Sequence, residues 1–184
     1  MNKITVKELM VPLEEYPTVS EDASIIEAVW ALEKAQEEFD KTRYRHRAIL
    51  VYDKKQNIIG KVSQWDLIKA LEPKYNEFGD IRSASLSGLS PEFIRSMMQK
   101  RSLWQKDLDA ICNRTAGKKV KDIMYSPTEN ERVEENATLG AALHALVVGH
   151  HQSLLVTRDR DIVGILRLTD MFKLVSERMK SCKI

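Results

Sequence analysis

Most of the chemistry this chain can offer sits in Gly60-Lys61-Val62-Ser63-Gln64-Trp65-Asp66. A glycine inside an apolar run weakens strand pairing but lets another group approach the backbone. Ser63 falls where a strand gives way to a helix, and its hydroxyl can accept a backbone N–H and cap that helix. Asp66 follows one turn later. A carboxylate there can accept two hydrogen bonds from a vicinal diol such as that of a ribose, and the helix N-terminus favours anions. The same residues also make an ordinary capping serine with a first-turn acid, stabilised by the helix dipole. A site is favoured because the pattern returns as Gly164-Ile165-Leu166-Arg167-Leu168-Thr169-Asp170.

The elements that must position these residues are duplicated in the same order. Val6-Lys7-Glu8-Leu9-Met10 returns as Val120-Lys121-Asp122-Ile123-Met124, and His46-Arg47-Ala48-Ile49-Leu50-Val51 as His151-Gln152-Ser153-Leu154-Leu155-Val156. Related units in one chain pack together because each alone leaves apolar surface exposed. In the first unit, Thr5 with Glu8 and Ser24 with Glu27 are capping boxes. Ile25, Ile26, Ala28, Val29 and Leu32 recur at helical spacing, and Phe39 extends the stripe toward Asp40. The spacing predicts strands at Thr18-Val19, Ala48 to Tyr52 and Ile58 to Val62, and a second helix from Gln64 to Leu71. The second unit predicts a helix over Thr138 to Val148 ended by Gly149, strands at Ser153 to Val156 and Ile162 to Leu166, and a helix over Thr169 to Met179. Each unit therefore reads β-α-β-β-α, and the fold class is α/β.

Residues 73–118 belong to neither unit and divide the chain into a first repeat at 1–72, an insert, and a second repeat at 119–184. Gly79 to Leu89 reads as loop. Ser90-Pro91-Glu92 is a helix start. Phe93, Ile94, Met97, Met98, Trp104, Leu108, Ile111 and Cys112 form a stripe whose phase slips near Arg101-Ser102, giving one bent helix or two short ones that pack on their own domain or on a second copy.

Composition narrows the function classes. The 184 residues carry 29 basic and 27 acidic side chains, a net charge of +2 with no general pull toward nucleic acid or membrane. Two cysteines without metal-ligand spacing suggest neither a zinc site nor a disulfide framework and fit a reducing cytosol. No apolar run reaches the roughly 20 residues that span a bilayer, and the N-terminus lacks a signal-peptide pattern, so the expected location is cytoplasmic. His144, His150 and His151 lack a completing Cys or carboxylate, so no metal is expected. Neither a phosphate-cradling glycine loop nor a nucleophile motif is found, and no enzyme is expected. Trp30, Trp65 and Trp104 are dispersed and read as core or interface.

The ordered set of V-K-[ED]-h-M, a helix start at Val19-Ser20-Glu21-Asp22-Ala23-Ser24-Ile25 and again at Val133-Glu134-Glu135-Asn136-Ala137-Thr138-Leu139, an apolar strand, a polar turn and G-h-h-x-x-x-D resembles a pair of CBS domains, a Bateman module. The resemblance covers about residues 4–72 and 119–180. It implies two repeats packed through their sheets with pseudo-twofold symmetry, homodimerisation, and two clefts able to hold AMP, ADP, ATP or S-adenosylmethionine. It places Asp66 on the ribose, with Ser63 and Thr18 bordering the nucleotide. His46-Arg47 is similar to the His-Arg pair that meets phosphates in the γ subunit of AMP-activated protein kinase, a role suited to charge-assisted and forked hydrogen bonds. A solvated basic turn is the alternative for that stretch.

The second copy departs from the family pattern. Asp170 keeps the ribose position, with Thr169 beside it. Arg167 replaces the small hydroxyl residue, Gln152 replaces Arg47, and Glu131-Arg132 replaces Pro17-Thr18. Arg167 has two roles open to it: contact with phosphate, or filling of the cleft. One nucleotide per chain is expected rather than two. The function implied is a regulatory module that senses an adenosyl ligand without catalysis and acts on another protein. The alternative is a dimerisation scaffold that binds no ligand.

Overall fold

The apolar runs Ala48-Ile49-Leu50-Val51 and Leu154-Leu155-Val156 become the central strands of two small sheets because both faces of each run are buried. The computed structural model describes residues 3–38, 44–78, 88 and 90–182. The first sheet has the order β2 (Thr18–Ser20), β3 (Ala48–Tyr52), β4 (Ile58–Ser63). The second has the order β1 (Val11–Pro12), β7 (Asp161–Arg167), β6 (Ser153–Arg158), β5 (Arg132–Glu134). In each, the first strand of the repeat pairs parallel to the next across a helical crossover, α1 (Ile25–Glu38) or α5 (Leu139–Val148), and an antiparallel hairpin follows. The helices α2 (Gln64–Leu71) and α6 (Leu168–Ser181) close the repeats. Even the irregularity is duplicated: register shifts occur between Val51 and Tyr52 and between Val156 and Thr157.

Strand alternation sorts the buried side chains into three cores. Ile49, Val51 and Val62 face the first repeat's helices, and Leu154, Val156 and Leu166 face the second's. The opposite faces, with Leu50, Leu155 and Ile165, meet in a third core that includes Val11 and Tyr16 and joins the two sheets.

The leading segments are exchanged. Val6 is fully buried in the second repeat's core, beside Leu139, Ala142 and Leu146, while Val120 is fully buried in the first repeat's core with Val19 and Ala28. Backbone bonds mirror this: Val6 N–H donates to Ala137 O (2.9 Å) and Lys7 N–H to Glu135 O (2.9 Å), matched by Val120 to Ala23 (2.8 Å) and Lys121 to Glu21 (3.1 Å). Each segment then crosses the other repeat's glycine. Val11 pairs with Ile165 beside Gly164, and Tyr125 exchanges two 2.9 Å bonds with Lys61 beside Gly60. The groups the strand glycines admit belong to the other repeat's leading segment: the Val11 main chain at Gly164, and the Met124 side chain with Tyr125 O at Gly60.

The insert folds as two helices, α3 (Pro91–Arg101) and α4 (Leu108–Ala116). The phase slip is a break: Ser102 and Trp104 take left-handed φ values of 51° and 57°. Ser90 caps α3 as expected, accepting from Phe93 N–H at 3.2 Å. α4 packs against α1 and α2, burying Ile111 and Thr115, but Phe93, Ile94, Leu108 and Cys112 stay exposed, so the stripe is only partly used. The base of the excursion is pinned. The Glu72 carboxylate accepts from Trp104 N–H (3.0 Å), Lys74 Nζ donates to Arg101 O (2.7 Å), and Trp104 Nε1–H donates to the Tyr75 hydroxyl (2.9 Å). The expected loop over Gly79 to Leu89 lies outside the described residues except Gly88, as do Phe39 and Asp40. Trp30 and Trp65 are 60% and 72% exposed, so neither is a core residue.

Gly149 caps α5 but with φ −82°; His150 takes the left-handed conformation (φ 50°) instead. A Cβ at Gly149 would lie 2.1 Å from the His151 ring, so a side chain there requires that ring to move.

The exchange sets a measurable constraint. A Cβ at Gly164 would lie 2.6 Å from Val11 O, a backbone atom, whereas one at Gly117 meets nothing within 4 Å. Gly164→Ala is expected to lower stability by about 2 kcal/mol, in the range of overpacking, and Gly117→Ala by less than about 0.5 kcal/mol. Urea unfolding midpoints of the two variants check this; equal midpoints would contradict the close approach.

Candidate ligand site

Asp66 is held by the helix it begins. Its Oδ2 accepts from Ser63 N–H at 2.8 Å and from the Ser63 hydroxyl at 2.5 Å, while Ser63 Oγ accepts from Asp66 N–H at 3.3 Å. Capping and site geometry thus coincide: the box fixes the carboxylate and spends one oxygen. Among the described residues Oδ1 has no hydrogen-bond partner. Asp66 is half-buried and borders a cleft of about 350 Å³. One wall is α2, with Asp66 and Lys69; the other is the exchanged segment of the second repeat, from Asp122 to Tyr125.

That second wall is tied down by a buried acid. Glu131 is 2% exposed and accepts from Lys61 Nζ at 3.0 Å and from the Tyr125 hydroxyl. His151 Nδ1 lies 4.0 Å away, and the Lys61 ammonium sits 5.4 Å from the Tyr125 ring centroid. Burial alone would raise the Glu131 carboxyl, but donation from Tyr125 and Lys61, with the nearby Lys61 and His151 charges, holds it below its ordinary 4.5. Sequence reasoning registered Glu131 only as a departure at the Pro17 position. Its role needed the partners Lys61 and Tyr125, which lie on other elements.

The remaining first-repeat candidates do not gather at this cleft. Thr18 is exposed on β2. Arg47 is exposed, and its carbonyl accepts from Gln64 N–H at 2.9 Å, which ties the strand to the start of α2. His46 is 1% exposed, so the basic stretch is not simply a solvated turn. Its ring meets Tyr16 edge-on at 4.6 Å.

His46 faces the second repeat. Arg167 Nη1 lies 3.3 Å from His46 Nδ1 and donates to Tyr44 O at 2.9 Å. A guanidinium only donates, so a hydrogen bond between the two uses Nδ1 as the acceptor. The same guanidinium grips Asp170 with two bonds, Nε to Oδ2 at 2.6 Å and Nη2 to Oδ1 at 2.7 Å. Arg167 and Asp170 are 5% and 4% exposed, and Thr169 is half-buried beside them. Burial pushes the neighbouring Tyr16 hydroxyl well above its ordinary range; Arg167 lowers it and Asp170 raises it further. Among the described residues no group of His, Cys, Asp or Glu could hold a metal ion, and no helix is long and apolar enough to cross a membrane.

The CBS-domain model matches residues 6–73 and 120–177, most of the chain. The chain belongs to the CBS-domain family. No catalytic family is indicated. Solved CBS structures share its fold over nearly its full length. CBSX2 in complex with AMP is 19% identical, with 95% of this chain and 98% of that one covered and a TM-score of 0.58. A CBS domain-containing protein of unknown function from Bacillus anthracis is 17% identical, with 96% of each chain covered and a TM-score of 0.63. The CBS domains of a transcriptional regulator from Streptococcus pneumoniae are 13% identical, with 92% and 98% covered and a TM-score of 0.55. At these identities the likeness speaks for the fold. No curated protein matches the chain. The two repeats are thus a CBS pair.

The depressed Glu131 carboxyl fixes the sign of a pH effect. A group whose folded pKa is lowered contributes stability that is present above its unfolded value and lost as pH falls through the folded one. Glu131→Gln leaves Lys61 without its ion pair and is expected to lower stability at pH 7 by about 3 kcal/mol. The gap to the parent should narrow as pH falls below 4.5. Denaturant titrations at a series of pH values check this; a gap that does not change between pH 7 and the acid limit would refute it.

Proposed function

We propose that this CBS pair is a regulatory module that binds an adenine nucleotide or S-adenosylmethionine beside Asp66 and senses it without turnover. The observation that carries the reading is the Asp66 carboxylate: one oxygen is fixed by the cap and the other is unpaired among the described residues, beside a cleft of about 350 Å³. That volume is within the range of small-molecule sites. The structural relative CBSX2 binds AMP, and the family resemblance assigns the ribose to this acid. Ser63 positions Asp66. The family resemblance also gives Thr18, His46 and Arg47 to the nucleotide, but none of them lines the cleft beside Asp66, so the reading rests on Asp66. The cleft walls come from both repeats, so a ligand that prefers one arrangement of those walls biases the pair toward it.

A second reading is favoured by one specific observation. Trp30, Trp65 and Ile68 on the first repeat's helices, and Val147, Val148 and Phe172 on the second's, are all more than half exposed. Large exposed apolar side chains on the outer helices suit a dimer interface or a scaffold. The two readings part on ligand binding.

Isothermal calorimetry with AMP, ADP, ATP and S-adenosylmethionine is the test. At least one should bind. Asp66→Ala should weaken it roughly 10- to 100-fold, the loss of charge-assisted hydrogen bonds of about 1.5–3 kcal/mol. The unliganded variant should lose only about 1 kcal/mol of stability, the cost of a cap. Absence of heat and of any thermal shift with all four ligands would leave the scaffold reading.

A further inference from the structure

We infer that Arg167 is an internal ligand of the second cleft: it occupies Asp170 in place of a ribose and limits the chain to one adenosyl ligand. This rests on the proposed ligand reading and adds to it which residue sets the number of sites. A diol recognised by a carboxylate needs accessible acceptor oxygens. Asp170 has both oxygens bonded to one guanidinium, at 2.6 and 2.7 Å, and is 4% exposed. Its counterpart Asp66 is half-buried, with one oxygen spent on the cap. The planar fork of Arg matches a carboxylate's two oxygens as a diol would, and with a full charge.

Two further contacts make the pairing a fixed part of the molecule. The third nitrogen of Arg167 is held by Tyr44 O and faces His46 Nδ1, so the first repeat positions the guanidinium that closes the second. Arg167 also stands at the N-cap of α6 without making a side-chain cap. Ser63, at the equivalent place, makes one. The second repeat has therefore exchanged a capping hydroxyl for an ion pair three residues apart.

The exchange is reversible by design of the test. Arg167→Ser recreates in α6 the Ser-x-x-Asp box that already works in α2, so the freed Asp170 gains a capping partner. Titration with the adenosyl ligand that the parent binds, or with AMP if the parent binds none, should show one more ligand per chain in Arg167→Ser than in the parent. In Asp66→Ala/Arg167→Ser one ligand should remain, and in Asp66→Ala alone no binding at the parent's affinity should remain. An unchanged ligand count in a folded Arg167→Ser overturns the inference, as does full retention of binding in Asp66→Ala. Arg167→Gln, which keeps more of the side-chain volume, gives the same readout if the serine variant does not fold. A parent that binds nothing while Arg167→Ser gains a site would refute the proposed function at Asp66 and the count of one ligand, and uphold only that Arg167 occupies Asp170 in place of a ligand.

Discussion

Everything in this molecule depends on the exchange of its leading segments. A three-stranded sheet with two helices on one face leaves its helical core open at one end. Each repeat closes that opening with a valine from the other, Val6 or Val120. The chain following each valine must then cross the partner sheet at van der Waals distance, which is why Gly60 and Gly164 stand between the apolar residues of those strands. The Asp66 cleft is a by-product of that crossing, because one of its walls is the crossing segment itself. A ligand lodged there touches the joint that holds the two repeats together.

The polar groups between the repeats break their near-symmetry: Lys61 and Tyr125 stand where the other repeat has Ile165 and Val11, and Arg167 stands where the other has Ser63. On one side a buried acid, Glu131, is satisfied by Lys61 and Tyr125. On the other a buried base, Arg167, is satisfied by Asp170 and by the main chain at Tyr44. Each cluster takes members from both repeats. Ion pairs of this kind add little net stability over apolar packing, yet breaking one leaves a buried charge and is strongly unfavourable.

The sequence made the fold legible because its signals are local and came twice. Capping boxes at Ser24-Glu27 and Ser63-Asp66, the β-branched and aliphatic runs, and the strand glycines each specify their own few residues, and all are realised. At the candidate site only the geometry of Asp66 was legible, because it is set within one helical turn. The position of His46 was not, because its burial depends on Tyr16 and Arg167, far away in the chain. Arg167 was visible as a departure from the repeat, but only the structure shows it paired with the acid three residues on. The exchange of leading segments was also invisible, since Val6 fits its own repeat's pattern as well as the other's.

The clasp at the base of the insert has a consequence for how this chain can vary. Glu72, Lys74 and Tyr75 meet Arg101, Ser102 and Trp104, so the excursion leaves and returns at one point. Once the ends are joined, lengthening what lies between them adds only about 0.6 kcal/mol per doubling in closure entropy. Descendants of this chain are thus free to gain or lose residues there, even whole helices, without shifting the register of either sheet. New surface can be tried at that point while the Asp66 cleft and the joint between the repeats stay as they are.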